Sequence, residues 1–295
     1  MTTRRVALAT CREIPELEDD DRLVIPALGD LGIDAVPAVW TDDAVEWASF
    51  DAVVLRSTWD YSDHRDAFLA WAARVEASTP LLNREPVLAW NTDKRYLRTL
   101  RDAGIDIVPT TFLEPGQPRD SWQWPVGAHD VVVKPTISCG SRNTLRHDAE
   151  DQDAARRHAQ ELLDEGRSVM VQPYLSNIDT AGETALMFFD GVFSHAIRKG
   201  ALLAREAESE RVEGLYLKET IDPREPSDAE LAVGRAVLDA IPASMADVLY
   251  ARVDLIPDAD GTPHLLELEL AEPSLFLGMS AGAEQRLAAA IAARL

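Results

Sequence analysis

Near the end of the chain, Tyr250-Ala251-Arg252-Val253-Asp254-Leu255 and Leu266-Glu267-Leu268-Glu269-Leu270 are two strand-like runs with Asp260-Gly261 between them. An Asp-Gly pair between such runs is a strong hairpin signal. A two-residue turn would pair Ala259 with Thr262, and counting outward sets Asp254 opposite Glu267 and Arg252 opposite Glu269. Because side chains alternate along strands, these four lie on one face, and Leu266, Leu268 and Leu270 lie on the other.

This hairpin gathers three carboxylates, Asp254, Glu267 and Glu269, on one patch of sheet. Like charges directly opposite one another destabilise a sheet, so Asp254 and Glu267 call for a cation between them. We expect Mg²⁺, which takes oxygen ligands and bridges protein carboxylates to substrate phosphates. The alternative is a solvated acidic face on an acidic protein.

Composition narrows the class of protein. The chain has 295 residues, 46 % of them hydrophobic, which is enough for two or three lobes. A net charge of −22 argues against a general role on nucleic acid or on a membrane surface. The sequence has neither an apolar run of membrane-spanning length nor a signal-peptide pattern. Two cysteines, Cys11 and Cys139, without ligand-like spacing, predict a reduced cytoplasmic protein without disulfides.

The first hundred residues alternate strands with helices. Strands are predicted over 5–10, 33–39 and 51–55, and this alternation is typical of a parallel α/β lobe. In such lobes ligands bind beyond the carboxyl ends of the strands. The third strand ends in Arg56-Ser57-Thr58-Trp59-Asp60-Tyr61, which is either a substrate-binding loop or a helix-capping loop.

Lysine is rare: only Lys94, Lys134, Lys199 and Lys218 occur among 29 basic residues. Lys94 is predicted in the first turn of a helix, where it opposes the helix dipole, so it either faces a bound anion or is an ordinary surface lysine. Lys134 ends a buried-type strand, where an unpaired ammonium is costly. The loop that follows, 136–144, is small and polar and suited to covering phosphates, although it lacks the Walker pattern.

A second hairpin turns at Asp190-Gly191. The same counting sets Glu183 opposite Arg198, either as a cross-strand ion pair or as ligand-binding residues. Residues 205–220 form a charged segment and a candidate lid. Ser227 and Glu230 form a capping box that begins a helix, and an Ala-rich helix over 282–294 ends the chain.

The order of these parts resembles the ATP-grasp superfamily of carboxylate–amine ligases, which includes glutathione synthetase and D-alanine–D-alanine ligase. The shared parts are a helix-opening Lys, a strand-ending Lys, a small-residue loop, Gln-Pro-Tyr, a Gly-Glu hairpin, Arg-Lys and Asp … Glu-x-Glu. The resemblance implies an N-terminal parallel α/β lobe and two α+β lobes that clasp ATP. The implied domains are 1–108, 109–175 and 176–295.

The resemblance also implies roles for individual residues, with ATP and Mg²⁺ as the bound species. Phosphate-binding roles fall to Lys94 and Lys134, with a covering loop at Ser138, Gly140, Ser141 and Arg142. Adenine would lie at Gln172, Tyr174 and Leu175, and ribose at Glu183. Arg198 and Lys199 would contact the transferred phosphate or acyl intermediate, and Asp254, Glu267 and Glu269 would bind Mg²⁺. Two departures from the superfamily are Glu269, where Asn is common, and a loop with few glycines. Cys139 is interpreted as a packing residue rather than a nucleophile.

Within the superfamily, the short chain, the Arg56–Tyr61 loop and the Glu-Pro-Ser ending at 272–274 are similar to the cyclo-ligase family that converts O-ureido-D-serine to D-cycloserine. This implies an amino-acid-like substrate, activation of its carboxylate as an acyl phosphate, and attack by a nitrogen of the same molecule. A homo-oligomer is compatible with this assignment. The alternatives are an intermolecular amino-acid or peptide ligase and a non-catalytic ATP-binding module. The residues assigned to substrate are Arg56, Ser57, Thr58, Trp59, Asp60, Tyr61, Glu272 and Ser274.

Overall fold

A computed structural model of the chain describes residues 3–118, 120–201, 203, 211–212, 216–217 and 220–295. Its first sheet is parallel, in the order β2-β1-β3-β4. The interior strands β1 and β3 are almost wholly buried because both faces of the sheet are covered, which is why they read as continuous apolar runs. The predicted parallel α/β lobe is confirmed. Its elements are β1 (Arg4–Thr10), α1 (Asp19–Arg22), α2 (Val24–Asp30), β2 (Ile33–Val39), β3 (Ala52–Leu55), α3 (Arg65–Glu76), β4 (Leu81–Leu82), α4 (Glu85–Asn91) and α5 (Tyr96–Asp102).

Lys94 lies in the connection between α4 and α5 rather than in a helical turn, since α5 begins at Tyr96. It is also buried, with 7 % of the residue exposed. The alternative of an ordinary surface lysine is therefore wrong.

The second sheet is antiparallel, in the order β5-β8-β6-β7. One amphipathic helix, α6, covers it, and Ala155, Ala159 and Leu162 of that helix pack on Val131 and Val171. The elements are β5 (Thr111–Leu113), β6 (Asp130–Pro135), β7 (Leu145–Asp148), α6 (Gln152–Asp164) and β8 (Val169–Pro173).

The third sheet has five antiparallel strands, in the order β13-β10-β9-β14-β15. The predicted capping box at the start of α8 is present, with Ser227 and Glu230 bonded reciprocally. A short pair, β11 and β12, belongs to the candidate lid at 205–220, most of which lies outside the described residues. The elements are α7 (Ile178–Ala181), β9 (Glu183–Phe189), β10 (Val192–Lys199), β11 (Arg211–Val212), β12 (Tyr216–Leu217), β13 (Ile221–Arg224), α8 (Asp228–Asp239), β14 (Tyr250–Pro257), β15 (Pro263–Glu269) and α9 (Ala283–Ala292).

The first hairpin has the predicted register where the charges lie: Arg252 pairs with Glu269 and Asp254 with Glu267. Nearer the turn a bulge shifts the pairing, so that Leu255 faces Leu265 and Leu266 is the extra residue. The turn spans Asp258 to Thr262, so the predicted pairing of Ala259 with Thr262 is wrong. Because of the bulge, Leu265 is the fully buried core residue, and Leu266, predicted for the core face, lines a cavity.

A bulge also alters the second hairpin, between Phe193 and His195 of β10. It places Lys199, not Arg198, opposite Glu183. The predicted pairing of Glu183 with Arg198 is therefore wrong by one residue, and a shift of one residue turns a strand's side chains to the opposite face.

Side chains from the N-terminal segment complete the backbone hydrogen bonds of β15, the edge strand that carries Glu267 and Glu269. Asn91 donates to Leu268 O at 2.8 Å and accepts from Leu270 N at 2.7 Å. The Tyr96 hydroxyl accepts from Leu268 N at 2.7 Å. An edge strand that would otherwise expose donors and acceptors is thus held in place.

Each of the three larger sheets falls within one of the predicted domains, 1–108, 109–175 and 176–295. The boundaries themselves stay predictions. In the part of the chain that the structure describes, no helix combines the length and the apolar character needed to cross a bilayer.

Candidate active site

A cavity of about 570 Å³ opens where the three sheets meet. This volume suits a ligand of cofactor or drug size. The lining comes from all three predicted domains: Trp59 and Lys94 lie in 1–108, Lys134 and Gln172 in 109–175, and Asp254 in 176–295.

Lys94, in the connection between α4 and α5, contacts both the hairpin of β14 and β15 and the polar loop 136–144. Its Nζ lies 2.9 Å from Glu267 Oε1 and donates to Ser138 O at 2.7 Å. Burial by itself would lower the pKa of Lys94, but the Glu267 carboxylate outweighs burial and raises it. In turn, burial would raise the pKa of Glu267, and Lys94 and Lys134 together hold it below its ordinary value.

Lys134 at the end of β6 is as buried as Lys94 but differs in its contacts. Its ammonium makes no hydrogen bond and no ion pair with any residue that the structure describes, although it lines the cavity. Burial, together with the nearby Lys94, lowers its pKa. An unpaired buried ammonium is costly, so this group is suited to an anion that enters the cavity.

Lys199 and Arg252 both bind Asp254. Lys199 Nζ lies 2.7 Å from Asp254 Oδ2 and 2.6 Å from Glu183 Oε1. Arg252 donates from Nε to Asp254 Oδ1 at 2.9 Å and also bonds Glu269. Burial would raise the pKa of Asp254, but these two cations outweigh it and keep the group ionised.

Glu269 and Glu272 are the two carboxyls of the cavity with raised pKa values. Burial raises the pKa of Glu269 to about 7 despite Arg252. Burial and the neighbouring Glu269 raise the pKa of Glu272 to about 8. A bound cation would favour the charged forms of both groups.

The predicted Mg²⁺ ligands, Asp254, Glu267 and Glu269, all line the cavity, and each is bonded to a basic side chain. Among the described residues, one group of three side chains brings possible metal-ligand atoms within 4.8 Å of one another. It consists of His129, Asp130 and Asp148 and lies outside this cavity. The trio nevertheless fits Mg²⁺ by its chemistry, since this ion commonly takes one or two carboxylates and completes its shell with phosphate oxygens and water.

Part of the cavity lining is apolar. Val132, Leu175, Ile178, Ile256 and Leu266 line it, which suits a flat heterocycle. The predicted adenine-site residues Gln172, Tyr174 and Leu175 also line the cavity. Gln172 Nε2 donates to Thr110 Oγ1 at 2.9 Å, and the Arg146 guanidinium stacks on the Tyr174 ring at 3.6 Å, so both side chains are held in place.

Of the predicted phosphate-covering loop, Ser138, Gly140 and Ser141 line the cavity. Arg142 does not, and its guanidinium bonds Asp63. Glu183 lines the cavity as predicted but is bonded to Lys199.

Arg198 lies outside the cavity. It donates to Ala181 O at 2.7 Å and Thr180 O at 2.9 Å, on the other side of the strand from Lys199. The bulge in β10 is the reason. Of the predicted pair, the structure brings only Lys199 to the site.

The predicted substrate loop is divided between core and cavity. Trp59 and Tyr61 line the cavity, as do Glu272 and Ser274. Arg56 is fully buried and donates to Asp21 Oδ1 at 2.7 Å, and Ser57 bonds the same carboxylate. Asp60 accepts from Trp40 Nε1 at 2.7 Å, and Thr58 is buried. The placement of Arg56, Ser57, Thr58 and Asp60 in a binding loop is corrected, because Asp21 of α1 draws the loop into the core.

Several cavity residues were not among the predicted site residues. Arg252 faced Glu269 in the predicted hairpin, and that position was a usable signal. Cys139 lies within the predicted phosphate-covering loop, although it was interpreted as a packing residue. The sequence offers no comparable signal for the others: Glu18, Asp20, Asn91, Phe276 and Met279.

Known proteins share this architecture over the whole chain. Residues 6–83 match the family described as D-cycloserine synthetase DcsG, N-terminal domain. The cycloserine biosynthesis protein DcsG of Streptomyces lavendulae is 38 % identical, over 100 % of this chain and 98 % of the relative. The crystal structure of D-cycloserine synthetase DcsG is 36 % identical with a TM-score of 0.90, covering 98 % of this chain and 99 % of that one.

A more distant match confirms the predicted fold. D-alanine–D-alanine ligase from Bacillus anthracis, in complex with ATP, is 16 % identical with a TM-score of 0.66, over 98 % of this chain and 96 % of that one. With full-length identity above one third to DcsG, the chain belongs to the DcsG family and is an ATP-dependent C–N ligase with the ATP-grasp fold.

Proposed function

We propose that this enzyme uses ATP and Mg²⁺ to convert O-ureido-D-serine to D-cycloserine through an acyl phosphate and an intramolecular attack by nitrogen. The observation that carries the proposal is the buried Lys134 ammonium, which has no hydrogen bond or ion pair with any described residue, in a cavity that also holds Lys94, Lys199 and Arg252. A triphosphate would supply the negative charge that Lys134 lacks among the described residues. The full-length similarity to DcsG supports the choice of substrate.

ATP would lie with its base between the apolar residues near Leu175 and its phosphates near Lys94 and Lys134. Asp254, Glu267 and Glu269 would hold Mg²⁺, which offsets charge on the phosphate oxygens when bound. Lys94, Lys199 and Arg252 would exchange some of their present carboxylate bonds for phosphate oxygens, so that the carboxylates become free to bind the cation.

The first step brings two anions together, because the substrate carboxylate attacks the γ-phosphorus of ATP. Arg252 and Lys199 lie beside the carboxylate trio, where positive charge stabilises the phosphoryl group during transfer. The C–O–P linkage forms and ADP leaves. The nitrogen of the same molecule then attacks the carbonyl carbon, and phosphate leaves. Water removes the carbamoyl group that this nitrogen still carries, which is released as carbon dioxide and ammonia. Proximity favours this attack because both groups belong to one bound molecule.

The test supplies purified protein with ATP, Mg²⁺ and O-ureido-D-serine alone. We expect ADP and D-cycloserine in equal amounts. ADP release that requires a second amine would favour the intermolecular ligase, and absence of ADP with bound ATP would favour the non-catalytic module.

Glu267→Gln tests the metal assignment in the same assay. We expect Mg²⁺-dependent ADP release to fall at least about 100-fold, because a ligand and a partner of Lys94 are both altered. Glu46→Gln removes the same charge from an exposed position and should retain full activity. Retained turnover in Glu267→Gln would refute the metal assignment.

A further inference from the structure

Glu272 differs from the other acidic residues of the cavity. It is 7 % exposed and lines the cavity, and the Tyr61 side chain lies close to its carboxyl group. Its Oε2 is buried and has no hydrogen-bond partner among the described residues. Leaving a buried polar atom unpaired costs about 1–3 kcal/mol, so such an atom in a binding cavity indicates a ligand group.

The other cavity carboxyls are already bonded within the protein. Glu18 accepts from Asp20 N, and Asp20 accepts from Leu277 N and Gly278 N. Glu267 and Glu269 bind Lys94 and Arg252. Glu183 and Asp254 share Lys199.

The backbone that carries Glu272 is fixed at three successive carbonyls. Trp59 Nε1 donates to Glu272 O at 2.9 Å, Arg56 Nη2 to Pro273 O at 2.8 Å, and Arg252 Nη1 to Ser274 O at 3.2 Å. These bonds are made to backbone carbonyls, so they fix the position of Glu272 without bonding its side-chain carboxyl group. Precise placement of this kind is what a group that acts on a substrate requires.

We propose that Glu272 Oε2 receives the N–H of the attacking nitrogen and takes its proton during ring closure. The nitrogen lone pair forms the new C–N bond, the N–H bond breaks toward Glu272, and the C–O bond to the phosphate breaks as phosphate leaves. The carboxyl group later returns the proton to water. This inference rests on the proposed function.

Charge sets the orientation of the substrate in this arrangement. Glu272 takes the proton in its ionised form, which a cation held by the neighbouring carboxylates would favour. A substrate carboxylate is then repelled by Glu272 and attracted by Lys199 and Arg252, so it lies toward those cations. The nitrogen then lies toward Glu272, against the ring of Tyr61. The two chemical steps thus use opposite sides of one bound molecule.

The experiment separates the two steps. Wild-type protein and Glu272→Gln are incubated with ATP, Mg²⁺ and O-ureido-D-serine, with hydroxylamine added to trap the acyl phosphate as a hydroxamate. In Glu272→Gln we expect hydroxamate within about threefold of wild type and D-cycloserine reduced at least about 100-fold, the usual contribution of a general base. Glu272→Asp, which keeps a carboxylate one methylene shorter, should lose less ring closure. Glu46→Gln is the matched charge control.

Two results overturn the inference: unchanged yields of both D-cycloserine and hydroxamate in both Glu272 variants, or an equal fall of both products. The first places Glu272 outside the reaction, and the second places it in the activation step or in folding. If wild-type protein yields neither ADP nor hydroxamate with this substrate, the proposed function fails, which is a separate and recognisable result.

Discussion

Asp254 is shared between Lys199 and Arg252, and Glu269 is bonded to Arg252 as well. Moving such groups out of water costs several kcal/mol per ion, and pairing recovers this cost only when the geometry is good. Lys134 has no ion pair with any described residue to offset the cost of its burial. A cluster of this kind is explained by a polyanion that binds it, rather than by a gain in stability.

Arg252 and Arg198 form a matched pair for testing this explanation. Arg252→Ala removes a cation from the cavity, and we expect kcat/KM for ADP release to fall by about 100-fold or more. Arg198→Ala removes a guanidinium that bonds Ala181 O and Thr180 O outside the cavity, and kcat/KM should change by less than about threefold. Steady-state kinetics of both variants provide the measurement. A larger loss for Arg198→Ala would contradict the placement of the two side chains.

Cys139 gives a second prediction at this scale. Burial and the nearby Glu272 raise the pKa of its thiol well above the ordinary value, and burial raises the pKa of Cys11 to about 11. Thiolates are the reactive form, so both thiols are almost wholly protonated at pH 8. We expect native protein to react with iodoacetamide at pH 8 much more slowly than protein unfolded in urea. Rapid labelling of Cys139 in the native protein, detected by mass spectrometry, would contradict this prediction.

Among the elements, the two β-bulges separate what the sequence can predict from what it cannot. Alternation and the Asp-Gly signals give the strands, and they give the pairing of Asp254 with Glu267. A bulge has no sequence signal here, since Ser194 and Leu266 both continue the alternating pattern. The extra residue in β10 brings Lys199, rather than Arg198, to the cavity. The extra residue in β15 places Leu265, rather than Leu266, in the core.

The loop after β3 shows a different limit. Its polar character can be predicted from the sequence. The partner of Arg56 cannot, because it is Asp21 of α1, 35 residues earlier in the chain. Arg56→Ala leaves this carboxylate buried and without its cation, and we expect the free energy of unfolding to fall by about 3–5 kcal/mol. Arg101→Ala breaks an exposed pair with Asp102 and should cost less than about 1 kcal/mol. Urea unfolding of both variants tests the contrast, and equal losses would contradict the buried role of Arg56.

For the whole molecule, the cavity depends on contacts between distant segments that no local pattern predicts. Asn91 and Tyr96 bond the edge of β15, and Arg56 and Trp59 bond the backbone at Glu272 and Pro273. The ordered motifs predicted that Lys94, Lys134 and the carboxylates belong to one site. Trp59, Tyr61 and Glu272 were also predicted for the site, but that Glu272 Oε2 has no hydrogen-bond partner among the described residues became visible only in the folded chain.

Buried acids also make the stability of the ligand-free protein depend on pH. The pKa of Glu272 is about 8 in the folded chain, against an ordinary value of 4.5. Between these values the folded state binds one more proton than the unfolded state, so stability is greatest below pH 4.5 and is lost as pH rises. For this group alone the free energy of unfolding falls by about 1.4 kcal/mol per pH unit.

Glu272→Gln removes this titration and leaves that of Glu269 in place. Between pH 6 and 8, we expect wild-type protein to lose about 1 kcal/mol per pH unit relative to Glu272→Gln, measured by urea unfolding without nucleotide. Glu46→Gln should follow wild type, since its carboxylate is exposed. Parallel curves for wild type and Glu272→Gln would contradict the raised pKa. Since a nearby cation favours the charged carboxylate, adding Mg²⁺ and ATP should reduce the difference, because the same carboxyl group that destabilises the empty cavity is stabilised by the charges that fill it.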